Sequence, residues 1–223
     1  MTGPEAVILD LDGLMIDTER VAREGWRQAA SELGHTIDEA LLRRVKGRTP
    51  EDARRMLMNG LDDGFPYEEI RRRRDVYLRE ALERGEIEAM DGLSTLLAAI
   101  DRLRLRTAIA TSGPRELTRL KLAALGLRAR FDVVVCGDDI ERGKPAPDIF
   151  LEAARRLEVN PSCCVVIEDS DPGARAADAA GMRVFVVPEY DEPAADVVAL
   201  AWRVLPSLDA AADVLTAACR EMG

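Results

Sequence analysis

EAVILDLDGLMIDTE, residues 5–19, decides how the rest of the chain is read. The apolar run Ala6-Val7-Ile8-Leu9 predicts a strand buried on both faces, because four consecutive apolar residues leave no polar side for water. That run leads directly into Asp10, Asp12 and Gly13. Two carboxylates at i and i+2 on the end of a buried strand cannot keep their charge cheaply without a cation or a proton beside them.

Beyond Asp17 the chain changes character. Residues 18–88 hold no convincing strand, and their apolar spacing predicts four helices, over 18–34, 38–45, 49–60 and 66–85. In the first, Val21, Trp26, Ala29 and Leu33 share a side and Gly34 is the stop; in the third, Thr49 is the N-cap and Pro50 the first helical residue. From Met90 onward helices and strands alternate. Helices are expected at 93–103, 114–125, 147–158, 172–180 and from about 208. Strands are expected at 106–111, 132–136, 163–168 and 183–187, with a weaker one at 203–205. This alternation predicts an α/β fold, a doubly wound parallel Rossmann-like sheet with helices on both faces. Residues 1–17 and 89–223 would form that core domain, and 18–88 a four-helix cap inserted after the first strand.

The 223 residues, 47% hydrophobic and 32% charged, suit one globular domain with an inserted subdomain. With 31 Lys and Arg against 41 Asp and Glu, the net charge is −10. That balance argues against nucleic acid or an anionic membrane as partner, and requires any anionic substrate to be held by local cations or a metal. No stretch approaches the roughly 18 apolar residues of a spanning helix. MTGPEAV has neither the basic region nor the apolar run of a signal peptide. Cys136, Cys163, Cys164 and Cys219 lack zinc-site spacing, so buried thiols in a reducing cytoplasm are expected. His35 is the single histidine, which leaves no histidine triad or histidine metal cluster.

Ligands bind such sheets at the carboxyl ends of the strands, and four of the expected strands here are followed by polar clusters, the first by Asp10 and Asp12. Thr111-Ser112-Gly113-Pro114 follows the second, Gly143-Lys144-Pro145 the third, and Glu168-Asp169-Ser170 closes strand 163–168. Converging carboxylates without histidine make an oxygen-only site suited to Mg²⁺, with Asp10, Asp169 and Glu168 as donors. Ser112 or Thr111, with Gly113 and the N–H groups of the helix starting at Pro114, makes an anion cradle. Lys144 adds a fixed positive charge. Taken singly, Lys144 is an ordinary loop lysine, and Ser112 and Glu168 are ordinary helix caps. Together they fit a phosphoryl group, whose transfer needs mainly positioning and charge neutralisation. Asp10 would attack in line to give an aspartyl-phosphate, while Asp12 protonates the leaving alcohol and later deprotonates water.

DLDGLMIDTE, ATSG (110–113), GKPAPDIF (143–150) and IEDS (167–170) resemble, in order, the four motifs of the haloacid dehalogenase superfamily of aspartyl-nucleophile phosphohydrolases. The subgroup is the one with a helical cap between the first two strands, which includes beta-phosphoglucomutases and pseudouridine- or sugar-phosphate phosphatases. The resemblance implies Asp10 as nucleophile and Asp12 as acid/base, with the Asp12 backbone carbonyl also on the metal. It also implies Asp169 as a metal ligand, Glu168 as a direct or supporting one, and Ser112 and Lys144 as phosphate contacts. Arg48, in the VKGRTP loop that faces the active site in this family, is a candidate substrate contact. So is Arg73, in the RRRR run one turn before Tyr77.

Dehalogenases proper would lack the second acid, so Asp12 favours phosphate chemistry. Sugar-phosphate mutases of the subgroup use a cap histidine where this chain has Ala22, and His35 lies too far along to replace it. The expected activity is Mg²⁺-dependent hydrolysis of a small phosphomonoester, a sugar or nucleoside monophosphate. The alternatives are a phosphoglucomutase-type mutase and a non-enzymatic regulatory protein on the same fold. The latter would have lost a charged group of the four clusters. A phospho-acceptor receiver domain would be about half as long and would carry its aspartate on an internal strand.

Overall fold

The computed structural model describes residues 3–45, 50–61, 64–189 and 192–221. Its sheet has six parallel strands: β1 (Ala6–Leu9), β2 (Arg106–Ala110), β3 (Val133–Val135), β4 (Cys164–Glu168), β5 (Arg183–Val186) and β6 (Arg203–Val204). They lie in the order β3-β2-β1-β4-β5-β6. The helices of the first half are α1 (Glu19–Glu32), α2 (Glu39–Arg44), α3 (Pro50–Gly60), α4 (Tyr67–Glu83) and α5 (Leu93–Leu103). Those of the second half are α6 (Arg115–Ala124), α7 (Asp148–Leu157), α8 (Asp171–Ala179), α9 (Ala195–Leu200) and α10 (Leu208–Glu221). This is the parallel Rossmann-like α/β architecture that the alternation predicts.

β1 runs through the middle, and all four of its side chains are fully buried. Val7 and Leu9 enter an apolar cluster with residues of α5, α6 and α10. Ala6 and Ile8 enter the opposite one, with α7 and α8. The two-residue period of a strand thus divides one tetrapeptide between two cores. At about 1.5–3 kcal/mol for each large side chain buried, this strand anchors both layers. Strand order reverses between β1 and β4, and the crevice beyond their carboxyl ends is where such a sheet holds ligands.

Helices α1–α4 carry a third apolar cluster of their own, including Trp26, Ala30, Leu42, Leu57, Phe65, Tyr67 and Ile70. The second half of α4 departs from it, and Leu78, Ala81 and Leu82 join the cluster on the sheet. The two chain segments that lead out to these helices and back run side by side. Asp17 N donates to Glu88 O (3.1 Å) and Met90 N to Met15 O (3.0 Å). Two features differ from the pattern expected from sequence. The edge strand β6 is only two residues long, and the six-residue helix α9 lies between β5 and β6, too short for apolar periodicity to reveal. Thr49, expected as a cap, lies outside the described residues.

Candidate active site

Three neighbouring strands deliver the first carboxylates. Asp10 follows β1, with its N–H donating to Ile167 O (3.1 Å), which places it beside the end of β4. Glu168 is the last residue of β4 and Asp169 the next. Between them, from the loop after β3, comes Lys144. Its ammonium donates to Asp10 Oδ1, to Glu168 Oε1 (2.7 Å) and to Ala110 O (3.1 Å), and it lies 5.1 Å from the centre of the Phe150 ring. The side chain is 1% exposed. An isolated ammonium at that depth would cost several kcal/mol; here two carboxylates and a carbonyl replace its water.

These charges hold one another. Burial pushes the Asp10 carboxyl up, Lys144 opposes that, and the Glu168 charge adds to it, leaving Asp10 raised to about 7. Burial works against the Lys144 charge, but Asp10 and Glu168 outweigh it and hold its proton more tightly than usual. Glu168 is also fixed from behind, since its Oε2 accepts from Ser170 N (2.6 Å). Gly173 in the first turn of α8 makes room, because a Cβ there would stand 1.7 Å from Glu168 Oε1.

Asp10, Glu168 and Asp169 each present an oxygen within 4.8 Å of the others, all three buried. Among the described residues, these three carboxyl groups converge beside the single Lys144 ammonium, which bonds two of them. All the donors are hard oxygens, which is the donor set Mg²⁺ takes. Gly13 turns the chain over this cluster with φ +82, and a Cβ there would come within 2.6 Å of Asp169 Oδ2. That position therefore demands glycine on both conformational and steric grounds.

Asp12 belongs to a second group. Its Oδ1 accepts from the Lys121 ammonium and the Thr18 hydroxyl, and its Oδ2 from Thr111 Oγ1 (3.4 Å). Burial acts to raise this carboxyl, but the Lys121 charge and the three hydrogen bonds prevail and hold it below the ordinary range. Neither Lys121 nor Thr18 was found by sequence reasoning. Lys121 stands in the last turn of α6, 109 residues from its partner. Only composition pointed to it: of the 31 basic residues just three are lysines, and two of them are buried here.

The cradle expected after β2 is arranged differently from a bare helix terminus. The first N–H of α6, at Arg115, is taken by Asp138 Oδ2 (2.7 Å), and Gly113 N donates to Thr111 Oγ1 (3.1 Å). Thr111 thus ties Asp12 to the Gly113 turn, while Ser112 and Gly113 line the cavity. That cavity, about 150 Å³, opens between the sheet and α1–α4. Asp10, Asp12, Thr18, Ser112 and Lys121 line its floor, and Ala22, Arg23, Trp26, Tyr67 and Arg74 its roof. Arg73 is turned elsewhere, bonded to Glu69 Oε1 (2.8 Å) and Glu32 Oε2 (2.9 Å) on the outer surface. Arg48 lies outside the described residues.

A parallel Rossmann-like sheet with paired acids after its central strand, and a buried lysine joining one of them to a third acid, defines a hydrolase of the aspartate-centred α/β class. The chain belongs to the haloacid dehalogenase-like hydrolase family, whose pattern it matches over residues 4–181. It is 35% identical to a phosphorylated carbohydrates phosphatase of Thermotoga maritima, over 80% of this chain and 82% of that protein. Fructose-1-phosphate phosphatase of Escherichia coli is 34% identical, over 79% and 92%. Among solved structures, a putative beta-phosphoglucomutase of Thermotoga maritima superposes with TM-score 0.76 at 31% identity, covering 96% of this chain and 99% of that one. Among the described residues, no helix is long and apolar enough to cross a membrane.

Proposed function

We propose that the chain is a Mg²⁺-dependent phosphatase of small phosphomonoesters, working through an aspartyl-phosphate on Asp10. The observation that carries this is the separation of two aspartates two residues apart into different environments. Asp10 sits with Lys144, Glu168 and Asp169, where an anion and a metal would both be held. Asp12 sits on Lys121, Thr18 and Thr111, facing the same cavity from the side where a leaving group would emerge. In the protein alone the two carboxyls are shifted apart, Asp10 up and Asp12 down. A cation beside Asp10 would lower it toward the ionised form that attacks, and a phosphate dianion beside Asp12 would raise it toward the protonated form that donates.

In this reading Asp10 attacks phosphorus, and Lys144, Ser112 and Gly113 orient the phosphoryl oxygens. Asp12 delivers a proton to the departing alkoxide, then removes one from the water that cleaves the aspartyl-phosphate. Asp10 and Asp169 would hold Mg²⁺, with Glu168 in support; when bound it neutralises charge on the transferring group. Residues 18–88 act as a cap over the core formed by 1–17 and 89–223, excluding bulk water. Ala22 in the cavity wall leaves no imidazole there, which favours water over a second sugar hydroxyl as the final acceptor. The relatives' names point to a sugar phosphate or a similar small phosphomonoester as substrate. The buried thiols of Cys136 and Cys164 fit a reducing, cytoplasmic setting.

The test is Asp10→Asn together with trapping. The variant should bind substrate and lose turnover, and wild type incubated with Mg²⁺ and beryllium fluoride should carry the fluoride adduct on Asp10. Normal turnover by Asp10→Asn would remove the nucleophile assignment.

A further inference from the structure

The inward face of α4 is an apolar stripe at helical spacing, Tyr67, Ile70, Leu78 and Leu82, all buried. Arg74 occupies that same stripe, four residues after Ile70 and four before Leu78. A charged group on a buried face needs a reason, since its desolvation costs more than an alanine or leucine would. Packing alone does not supply one. The guanidinium lies 5.1 Å from the Trp26 ring centre, which gives its flat side a surface to rest on. Its Nε, however, is buried without a hydrogen-bond partner among the described residues.

Helix α1 has been shaped around this arginine. Gly25 sits in the middle of α1, where glycine is the poorest helix former other than proline. A Cβ at that position would stand 3.2 Å from Arg74 Cγ, and 3.6 Å from the Arg74 carbonyl oxygen. The glycine therefore lets the Arg74 stem lie across α1 and reach the cavity, with Trp26 next along as its rest.

The other charges lining the cavity are matched. Asp12 is paired with Lys121, Asp10 with Lys144, and Arg23 donates to Glu39 Oε1 (3.0 Å). Among the described residues Arg74 pairs with Asp75 Oδ1 at 3.3 Å, and Asp75 is shared with Arg71 at 4.0 Å, as Glu39 is with Arg43 at 3.7 Å. The described residues of the cavity roof thus include two arginines and no acid, and of the two Arg74 holds a buried donor that is unused. We infer that Arg74, seated by Gly25 and Trp26, binds a second anionic group on the leaving group, so that the favoured substrates are phosphomonoesters bearing a further phosphate or carboxylate. The inference rests on the phosphatase reading above and adds the substrate class. A guanidinium suits this role because its planar fork meets either anion with two parallel hydrogen bonds.

The test compares matched substrates under Mg²⁺: glycerol 3-phosphate against 3-phosphoglycerate, and fructose 1-phosphate against fructose 1,6-bisphosphate. Each pair differs by one anionic group, a carboxylate in the first and a phosphate in the second, so the pairs also separate the two sources. Wild type should favour the doubly anionic member of at least one pair by tenfold or more in kcat/KM. Arg74→Met should reduce that ratio to near one, Arg74→Lys should retain part of it, and Arg73→Ala should leave it unchanged. Gly25→Ala keeps the arginine but displaces its stem; it should lower the ratio while the melting temperature holds or rises, an outcome that loss of packing cannot produce. Turnover of all four substrates without discrimination, or a ratio untouched by Arg74→Met and by Gly25→Ala, overturns the inference alone. No turnover of these or of p-nitrophenyl phosphate overturns the phosphatase reading and the inference with it.

Discussion

Lys121→Met removes the ammonium from Asp12 while keeping most of the buried stem volume. The lysine side chain is 5% exposed and the Asp12 side chain 24%, so the carboxylate left behind is mostly out of water. Breaking a fully buried pair costs about 3–5 kcal/mol. Partial exposure and the remaining bonds from Thr18 and Thr111 place this case lower, at about 2–3 kcal/mol. For a chain of this size that is a fall of about 5–10 °C in Tm. The sign with pH follows from the depressed Asp12 carboxyl, whose stabilising contribution is present above the ordinary aspartate range and is lost as pH falls through its folded value. The Tm gap between wild type and variant should therefore close in acid. Catalysis gives an independent reading. With Lys121 gone, burial is less opposed and Asp12 holds its proton to higher pH. The alkaline limb of kcat/KM, which reports the step where Asp12 acts as acid, should then move upward for an alkyl phosphate. It should stay in place for p-nitrophenyl phosphate, whose leaving group departs without a proton. The same shift on both substrates, or none on either, would refute the pairing of Lys121 with the acid step.

Two further outcomes follow from the site. Because burial raises Asp10 to about 7, protons compete with the cation below that value. Mg²⁺ affinity, read as the stabilisation of Tm, should climb about tenfold per pH unit up to about pH 7 and then level. With metal chelated, this group makes the folded state lose stability as pH rises from about 4 to about 7, and a pH-independent Mg²⁺ effect would contradict the raised carboxyl. With Ala22 in the cavity wall, β-glucose 1-phosphate should yield inorganic phosphate or nothing; glucose 6-phosphate formed at a comparable rate would establish mutase chemistry instead.

The sheet was legible because its strands are short apolar runs ending in polar residues. That pattern exposed Asp10, Thr111 and Glu168 at once, since a strand end is both a change in hydropathy and a place in space, while Lys144 was found only through the loop that follows the third strand. What lay on helices was harder to read. On α4, Tyr77 suggested an inward side that would have carried Arg73, four residues earlier. Yet the Tyr77 hydroxyl bonds Glu32 on the outer surface, and Arg73 goes with it. The inward line runs through Tyr67, Ile70 and Leu78 and selects Arg74. Adjacent residues on a helix point about 100° apart, so one position decides whether an arginine meets solvent or substrate. In an unbroken run of four arginines the charge pattern cannot supply that phase; the apolar residues on either side can.

The two kinds of cation in this site also answer different demands. The chain uses arginine for 28 of its 31 basic residues and keeps only three lysines, at 46, 121 and 144. Lys46 lies outside the described residues, and the other two each bring a point charge to an aspartate at the floor of the cavity. Lys144 must fit between Asp10, Glu168 and the Ala110 carbonyl with less than 2% of its surface exposed. A compact ammonium can satisfy three oxygens converging from different strands, whereas a planar guanidinium directs its donors outward in one plane and needs more room. Arg74 on the roof faces the reverse requirement, a flat ring on one side and an open cavity on the other. In a chain with so strong a preference for arginine, the two described lysines both stand buried on an aspartate of the candidate site, and that bias is itself readable before any fold is known.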